Sequence, residues 1–331
     1  MDMALPNLLL DQSFEDFGTC MEIVDWDMDF RQLDPGRLDA RVSVIAGEHL
    51  QLARFQFNRG FHQLGSSPEG MLTFGFSDPD NSEMSWSGTD APRGSMQIFD
   101  LTGGFDCVSS AGFSGYAVIV HPEYLQHLAE QNEICATVDS LKTAATRHSP
   151  NTEKMSRRLQ SLYRAVDQTG SQYLGEFADL VNEEVGITIL RELARTTTNQ
   201  RVIPQPHKAR VLGKVRDILN NVDELPITVS ELCSRVGASS SSLNRIFLSE
   251  YEISPKCYIR SRCLSAVRDE LGCASPGSKV SDIAGKWGFW HMGQFARDFR
   301  ALFGELPSRY LTSVNRAHPN PKPPIVRTVA T

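Results

Sequence analysis

Two short stretches of this chain carry side chains of the kinds that read the edges of base pairs. In the first, Ser241, Asn244 and Arg245 fall at i, i+3 and i+4, which is one face of a helix. Arginine can donate two parallel hydrogen bonds to guanine O6 and N7, and asparagine matches adenine N6 and N7. In the second, His291, Met292, Gln294 and Arg297 crowd the start of a helical segment. On a lone helix such residues are ordinary solvated side chains, so their setting has to decide.

That setting is a repeat. Ile227–Tyr251 and Ser278–Gly304 each read as a short helix, a glycine (Gly237, Gly288) for a tight turn, and a second helix with an apolar stripe. This is helix-turn-helix grammar, in which the second helix enters a DNA major groove. In the first copy Thr228 and Glu231 fit a capping box. Leu232, Cys233 and Val236 face inward, and Leu243, Ile246, Phe247 and Tyr251 form the buried stripe of the next helix. In the second, Val280, Ile283, Ala284 and Trp287 form the inner face, followed by Phe295, Phe299, Leu302 and Phe303. Ser254-Pro255 opens a connecting helix that runs to about Leu271. At 1.5 Å per residue it is roughly 25 Å long, enough to hold two reading helices about one DNA turn (~34 Å) apart. Lys256, Arg260 and Arg262 on it, with Ser239, are the candidate phosphate contacts, which position without specifying.

The charge distribution fits that placement. The net charge of the 331 residues is −7, yet residues 1–207 carry 15 basic and 29 acidic side chains while 208–331 carry 18 and 11. Phosphate attraction is screened beyond about 8–10 Å at ordinary salt, so a basic module can bind DNA beside an acidic one. Seven irregularly spaced cysteines without a CxxC pair argue against a disulfide framework or a zinc site, and most are expected as buried apolar residues. His49 and His62 stand apart with no HxH pair, so no metal, cofactor or catalytic residue is expected. The acidic start and the shortness of every apolar run predict neither a secretory signal nor a membrane helix, hence a cytoplasmic protein.

Upstream, "ARVSVI", "LQLARFQF", "GMLTFGF", "GSMQIFDL" and "GYAVIV" read as short strands of an antiparallel sandwich or barrel, followed by a helix from His121. Two longer helical stretches follow. Met155, Leu159, Leu162 and Val166 line one; Phe177, Leu180, Val181, Val185, Ile189 and Leu193 line the other. Either stripe can pack on the sheet or against its copy in a second subunit.

From Lys208 to Thr312 the pieces "SELCSRVGASSSSLNRIF", "SPKCYIRSR", "DIAGKWGF" and "FARDFRALFGELPSRYL" occur in an order that resembles the AraC/XylS family of bacterial transcription regulators. The resemblance implies a seven-helix DNA-binding domain in a promoter-binding regulator, more often activator than repressor. It implies base contacts from Ser241, Asn244 and Arg245, and from Met292, Gly293 and Arg297. Trp290 stands where the family often has a capping serine, and Cys263 where it is often basic.

The expected architecture is thus α+β. Residues 11–195 form a β-rich, cupin-like or jelly-roll-like module with two following helices. Residues 196–207 form a linker, 208–312 an all-α double helix-turn-helix domain, and 313–331 a disordered tail. The expected partners are double-stranded promoter DNA, a small-molecule effector, RNA polymerase for an activator, and a second copy of the chain in a nucleoid-associated dimer. A ligand-independent regulator whose first half only dimerises or binds a protein is the alternative; a cupin-type enzyme is more remote.

Overall fold

The computed structural model describes residues 7–15, 28–47, 49–80, 83–99, 104–135, 145–169, 174–195, 206–220, 225–275 and 277–317. Within them the chain is α+β: antiparallel strands and three helices, then an all-helical region.

The strands are β1 (Asn7–Phe14), β2 (Met28–Gln32), β3 (Ala40–Ala46), β4 (Leu50–Phe57), β5 (Phe61–Gly65), β6 (Leu72–Ser77), β7 (Met84–Trp86), β8 (Thr89–Ala91), β9 (Met96–Ile98), β10 (Phe105–Ser109), β11 (Phe113–Val120) and β12 (Ala145–Arg147). They form a seven-stranded sheet in the order β1-β3-β4-β11-β6-β9-β12 and a five-stranded one in the order β2-β5-β10-β7-β8. β11 is central, paired with β4 from Phe113↔Phe57 to Val120↔Leu50 and with β6 from Gly115↔Ser77 to Val120↔Leu72. The five strands expected from alternation are present. The strands not expected are β1 and β2, upstream of the alternating stretch, β5 and β10, which have buried polar residues among their apolar ones, and the three-residue β7, β8 and β12.

Three helices follow the strands: α1 (Pro122–Gln131), α2 (Pro150–Thr169) and α3 (Leu174–Ala194). Alternation puts Leu50 and Leu52, Leu72, Phe74 and Phe76, and Val118 and Val120 on one sheet face. That face packs on Leu125, Leu128, Met155, Leu159, Val166, Val185, Ile189 and Leu193, with Leu162 at the margin. The two stripes therefore serve the sheet over these positions; the side chains of Phe177, Leu180 and Val181 lie outside the described residues. Gly186 lets α3 come close to α1: a Cβ there would stand 2.5 Å from the Leu128 Cδ1 methyl, which would have to move.

On the same face lies a charged cluster that no sequence pattern announced. Arg54, with its side chain 5% exposed, donates to Asp167 at 2.8 and 2.9 Å and to Ser43 at 3.0 Å. Its guanidinium sits 4.7 Å from the Tyr163 ring centre. Arg41 ties Asp167 (3.0 Å) to Asp11 (2.7 Å). Arg54 hydrogen bonds hold the Asp167 carboxyl below the usual carboxylate range, and Arg41 does the same for Asp11.

By contacts the chain divides into two compact units. One comprises 1–29, 39–58 and 63–203; the other comprises Phe30–Leu38, Arg59–His62 and 204–331. The second holds α4 (Pro206–Asn220), α5 (Val229–Val236), α6 (Ser240–Tyr251), α7 (Pro255–Gly272), α8 (Val280–Lys286), α9 (Met292–Phe303) and α10 (Pro307–Ala317). α4 begins at Pro206, inside the stretch expected as a linker, and α10 runs to Ala317, past the Thr312 boundary. The rest of both stretches, 196–205 and 318–331, lies outside the described residues. One expectation needs correcting: of the described cysteines only Cys107 and Cys263 are buried, while Cys135 and Cys257 are exposed. Helix and turn positions carry a small side chain on either face, so residue type alone did not decide burial.

Candidate nucleic-acid interface

The first lobe is built on local capping. The Glu231 amide donates to Thr228 Oγ1 at 3.2 Å, and Glu231 Oε2 accepts from the Thr228 amide at 2.8 Å, closing the capping box at the start of α5. The Thr228 hydroxyl also donates to that carboxylate at 2.6 Å, and these bonds pull the Glu231 carboxyl below its ordinary value. Gly237 ends α5 at φ 70°, ψ 40°, a left-handed conformation with no side-chain penalty for glycine. Ser239 then caps α6, accepting from the Ser242 amide at 3.2 Å. Leu243, Ile246, Phe247 and Tyr251 are buried, as their spacing predicts. Ser241, Asn244 and Arg245 are exposed on the opposite side of α6. Leu248, 49% exposed, extends that row by one more turn. Sequence reading missed it because a leucine on a helix is read as core; its place at i+4 from Asn244 was the available signal.

α7 starts on Ser254, whose hydroxyl accepts from the Cys257 amide at 3.3 Å, with Pro255 in the first turn. Its 18 residues span about 27 Å. The basic residues expected to face phosphate do not form one face. Lys256 is exposed. Arg262 is only 8% exposed, which removes it from the phosphate set: its position faces the packed side of the helix. Arg260 is half-buried and ion-paired with Asp298 of α9. Cys263 is buried, which pushes its thiol up to about 11 and keeps it protonated at neutral pH.

The second lobe packs Leu264, Val267 and Leu271 of α7 against Ile283, Ala284, Phe295, Phe299, Leu302 and Phe303. Glu270 of α7 accepts from Trp287 Nε1 at 2.9 Å and pairs with Lys286. Arg268 lies over the rings of Phe303 (4.8 Å) and Tyr310 (4.9 Å). The capping residue of α9 is His291, and its side chain makes no cap hydrogen bond, so the expected place of the cap at Trp290 is shifted by one. His291, Gly293, Gln294 and Arg297 are exposed, and Met292 is half-buried against the lobe's core. Arg297 donates to Gln294 Oε1 at 2.8 Å, and Gln294 Nε2 donates to Asp298 Oδ1 at 2.8 Å. A polar chain from Arg260 through Asp298 and Gln294 thus ends on Arg297. Trp290 is 78% exposed beside this row.

Comparison with known proteins bears on both lobes at once. A helix-turn-helix domain family matches residues 232–313, from the middle of α5 into α10. The probable thc operon regulatory protein of Rhodococcus erythropolis is 31% identical over 112 residues, 34% of this chain and 34% of that protein. The XylDLEGF operon transcriptional activator of Pseudomonas putida is 29% identical over 146 residues, 44% of this chain and 42% of that one. The C-terminal region of this chain thus carries a helix-turn-helix domain and is similar to regulators of the AraC/XylS type. The matched stretches span less than half the length of these two relatives. Among solved structures, the AraC-like transcriptional activator CuxR is 14% identical with a TM-score of 0.40, covering 79% of this chain and 96% of that one. A probable AraC family regulator of Rhodopseudomonas palustris is 28% identical with a TM-score of 0.29, covering 31% of this chain and 96% of that one. As the family pattern implies, seven helices, α4 to α10, are present among the described residues.

Proposed function

We propose that this chain is a transcription activator of the AraC/XylS type that binds promoter DNA by inserting α6 and α9 into successive major-groove segments. The observation that carries the reading is the division of α6: Leu243, Ile246 and Phe247 buried, with Ser241, Asn244 and Arg245 exposed on the other side. In α9, Gly293, Gln294 and Arg297, with His291 and Met292 at its start, take the corresponding role. Lys256 and Ser239 stand nearest the backbone-contact role, and RNA polymerase is the partner of an activator.

Residues 11–195, apart from Phe30–Leu38 and Arg59–His62, are proposed as the effector-sensing and dimerising module, and 206–317 as the DNA-binding domain. Two buried polar atoms support a small-molecule effector. Thr73 Oγ1 and Trp86 Nε1 have no hydrogen-bond partner, although Thr73 is 2% and Trp86 4% exposed. Phe99 connects them: its amide donates to the Thr73 carbonyl, and its ring lies 4.7 Å from that of Trp86. No helix among the described residues is long and apolar enough to cross a membrane, which suits a protein acting on nucleoid DNA in the cytoplasm.

In vitro selection from random duplexes tests the reading directly. It should return two motifs about one helical turn apart, with binding that weakens steeply as salt rises. Recovery of no enriched sequence, or of a salt-insensitive complex, would refute it.

A further inference from the structure

The C-terminal end of α9 is closed by a segment from far upstream in the chain. A helix leaves its last four carbonyls without intrahelical partners. Here the Gly304 amide takes that of Arg300 at 2.8 Å. The next two are taken by the Phe30–Leu38 segment. The Gly36 amide donates to Ala301 O at 2.9 Å and Leu302 O at 3.1 Å, and Gln32 Nε2 donates to Leu302 O at 2.6 Å. Gln32, 3% exposed, also holds its own loop, through Asp34 O at 2.8 Å and Gly36 O at 2.7 Å. Ser261 of α7 fixes this segment from the other side, donating to Gln32 O at 2.5 Å. The contact is close: a Cβ on Gly304 would stand 2.8 Å from that of Arg37. Next to it, buried His62 bonds the Tyr258 hydroxyl of α7 and packs 5.1 Å from the Tyr251 ring at the end of α6.

We infer that Gln32 is a positioning residue for DNA recognition: with Gly36 and Ser261 it locks the C-terminus of α9 to α7 and so sets the angle at which α9 is presented. The inference rests on the reading of α9 as a groove-binding helix. The asymmetry of α9 carries it further. Its start has no side-chain cap, and its end is held by three bonds from outside the helix-turn-helix repeat. The end of the helix that hydrogen bonds from outside it hold is the one that Gln32 and Gly36 close. Withdrawing the segment strips Leu302 O and Ala301 O of their partners and lets the last turn of α9 fray.

The test uses the full-length protein, Gln32→Ala and Ser261→Ala, with two readouts. Hydrogen exchange by mass spectrometry should show faster exchange in peptides covering 299–304, with 240–251 unchanged. On selected duplexes, affinity for the two-motif site should fall about tenfold, while affinity for a duplex carrying only the α6 motif stays within twofold. Equal losses on both duplexes would show general destabilisation and overturn the inference, as would unchanged exchange at 299–304. If the wild-type protein binds no duplex, the groove reading fails, and the exchange result still reports whether Gln32 holds the helix end.

Discussion

In the first lobe, α5 starts on a complete capping box and α6 on Ser239, so the amides at both helix starts have side-chain partners a few residues away. In the second lobe neither Lys279 before α8 nor His291 before α9 makes a side-chain cap. What holds that lobe comes from farther off: Glu270 on Trp287 and Lys286, Arg268 over Phe303 and Tyr310, Arg260 on Asp298, and Gln32 and Gly36 on the end of α9. The same motif is thus stabilised in two ways. The first lobe also takes contacts from outside, His62 against Tyr251 and Lys208 on Glu250, but both of its helix starts are capped from within, whereas those of the second lobe are not.

The strongest way to break the contrast is to remove a core ring. Phe299→Ala should cost about 3–5 kcal/mol in the second lobe, read by denaturant unfolding, with exchange protection of α5 and α6 largely kept. Simultaneous loss of protection in both lobes would show one cooperative unit instead. Arg245→Ala should weaken specific binding by about 1–3 kcal/mol, with a smaller loss on random duplex. Arg297→Ala tests the corresponding position of the second lobe. Equal loss on both DNAs would assign either arginine to phosphate. Exchanging the caps is milder: Ser239→Ala should cost about 1 kcal/mol and His291→Ser should gain a similar amount, both seen as shifts in thermal midpoint. Gly293→Ala should add up to about 1 kcal/mol, because glycine is a poor helix former and a Cβ there meets nothing within 4 Å. A fall in stability would place Gly293 under a constraint that its open surroundings do not show.

The smallest effect is one of pH. Hydrogen bonds from Thr228 lower the Glu231 pKa in the folded chain, so its contribution is present above the unfolded value of about 4.3 and lost as pH falls through the lower folded value. The Thr228 amide should become exchange-labile in that window while the uncapped starts of α8 and α9 show no matching change. An unchanged Thr228 amide down to pH 2 would mean that the carboxylate does not supply the bond.

Much of the helical half was legible in advance, because its signals are local. Thr228, Gly237, Ser254 and the stripes Leu243–Tyr251 and Phe295–Phe303 act within one or two turns of themselves. The strand-rich half was read less completely. Alternation found β3, β4, β6, β9 and β11, but β5 and β10 break it with buried polar residues whose partners lie elsewhere in the chain. The site shows the same division: the exposure of Ser241, Asn244 and Arg245 follows from helical periodicity, whereas the burial of Arg262 and the pairing of Arg260 with Asp298 do not.

What the amino-acid order determined by itself was everything with a period or a cap: a duplicated pair of helices, a rod between them, and a polar face on each second helix. Only the tertiary structure decided which charges meet. Arg54 with Asp167, Arg260 with Asp298 and Gln32 with the end of α9 join residues that no repeat or spacing relates. A hydrogen bond between distant residues depends on where whole elements pack, and that is settled by burial summed over many side chains rather than by any one of them.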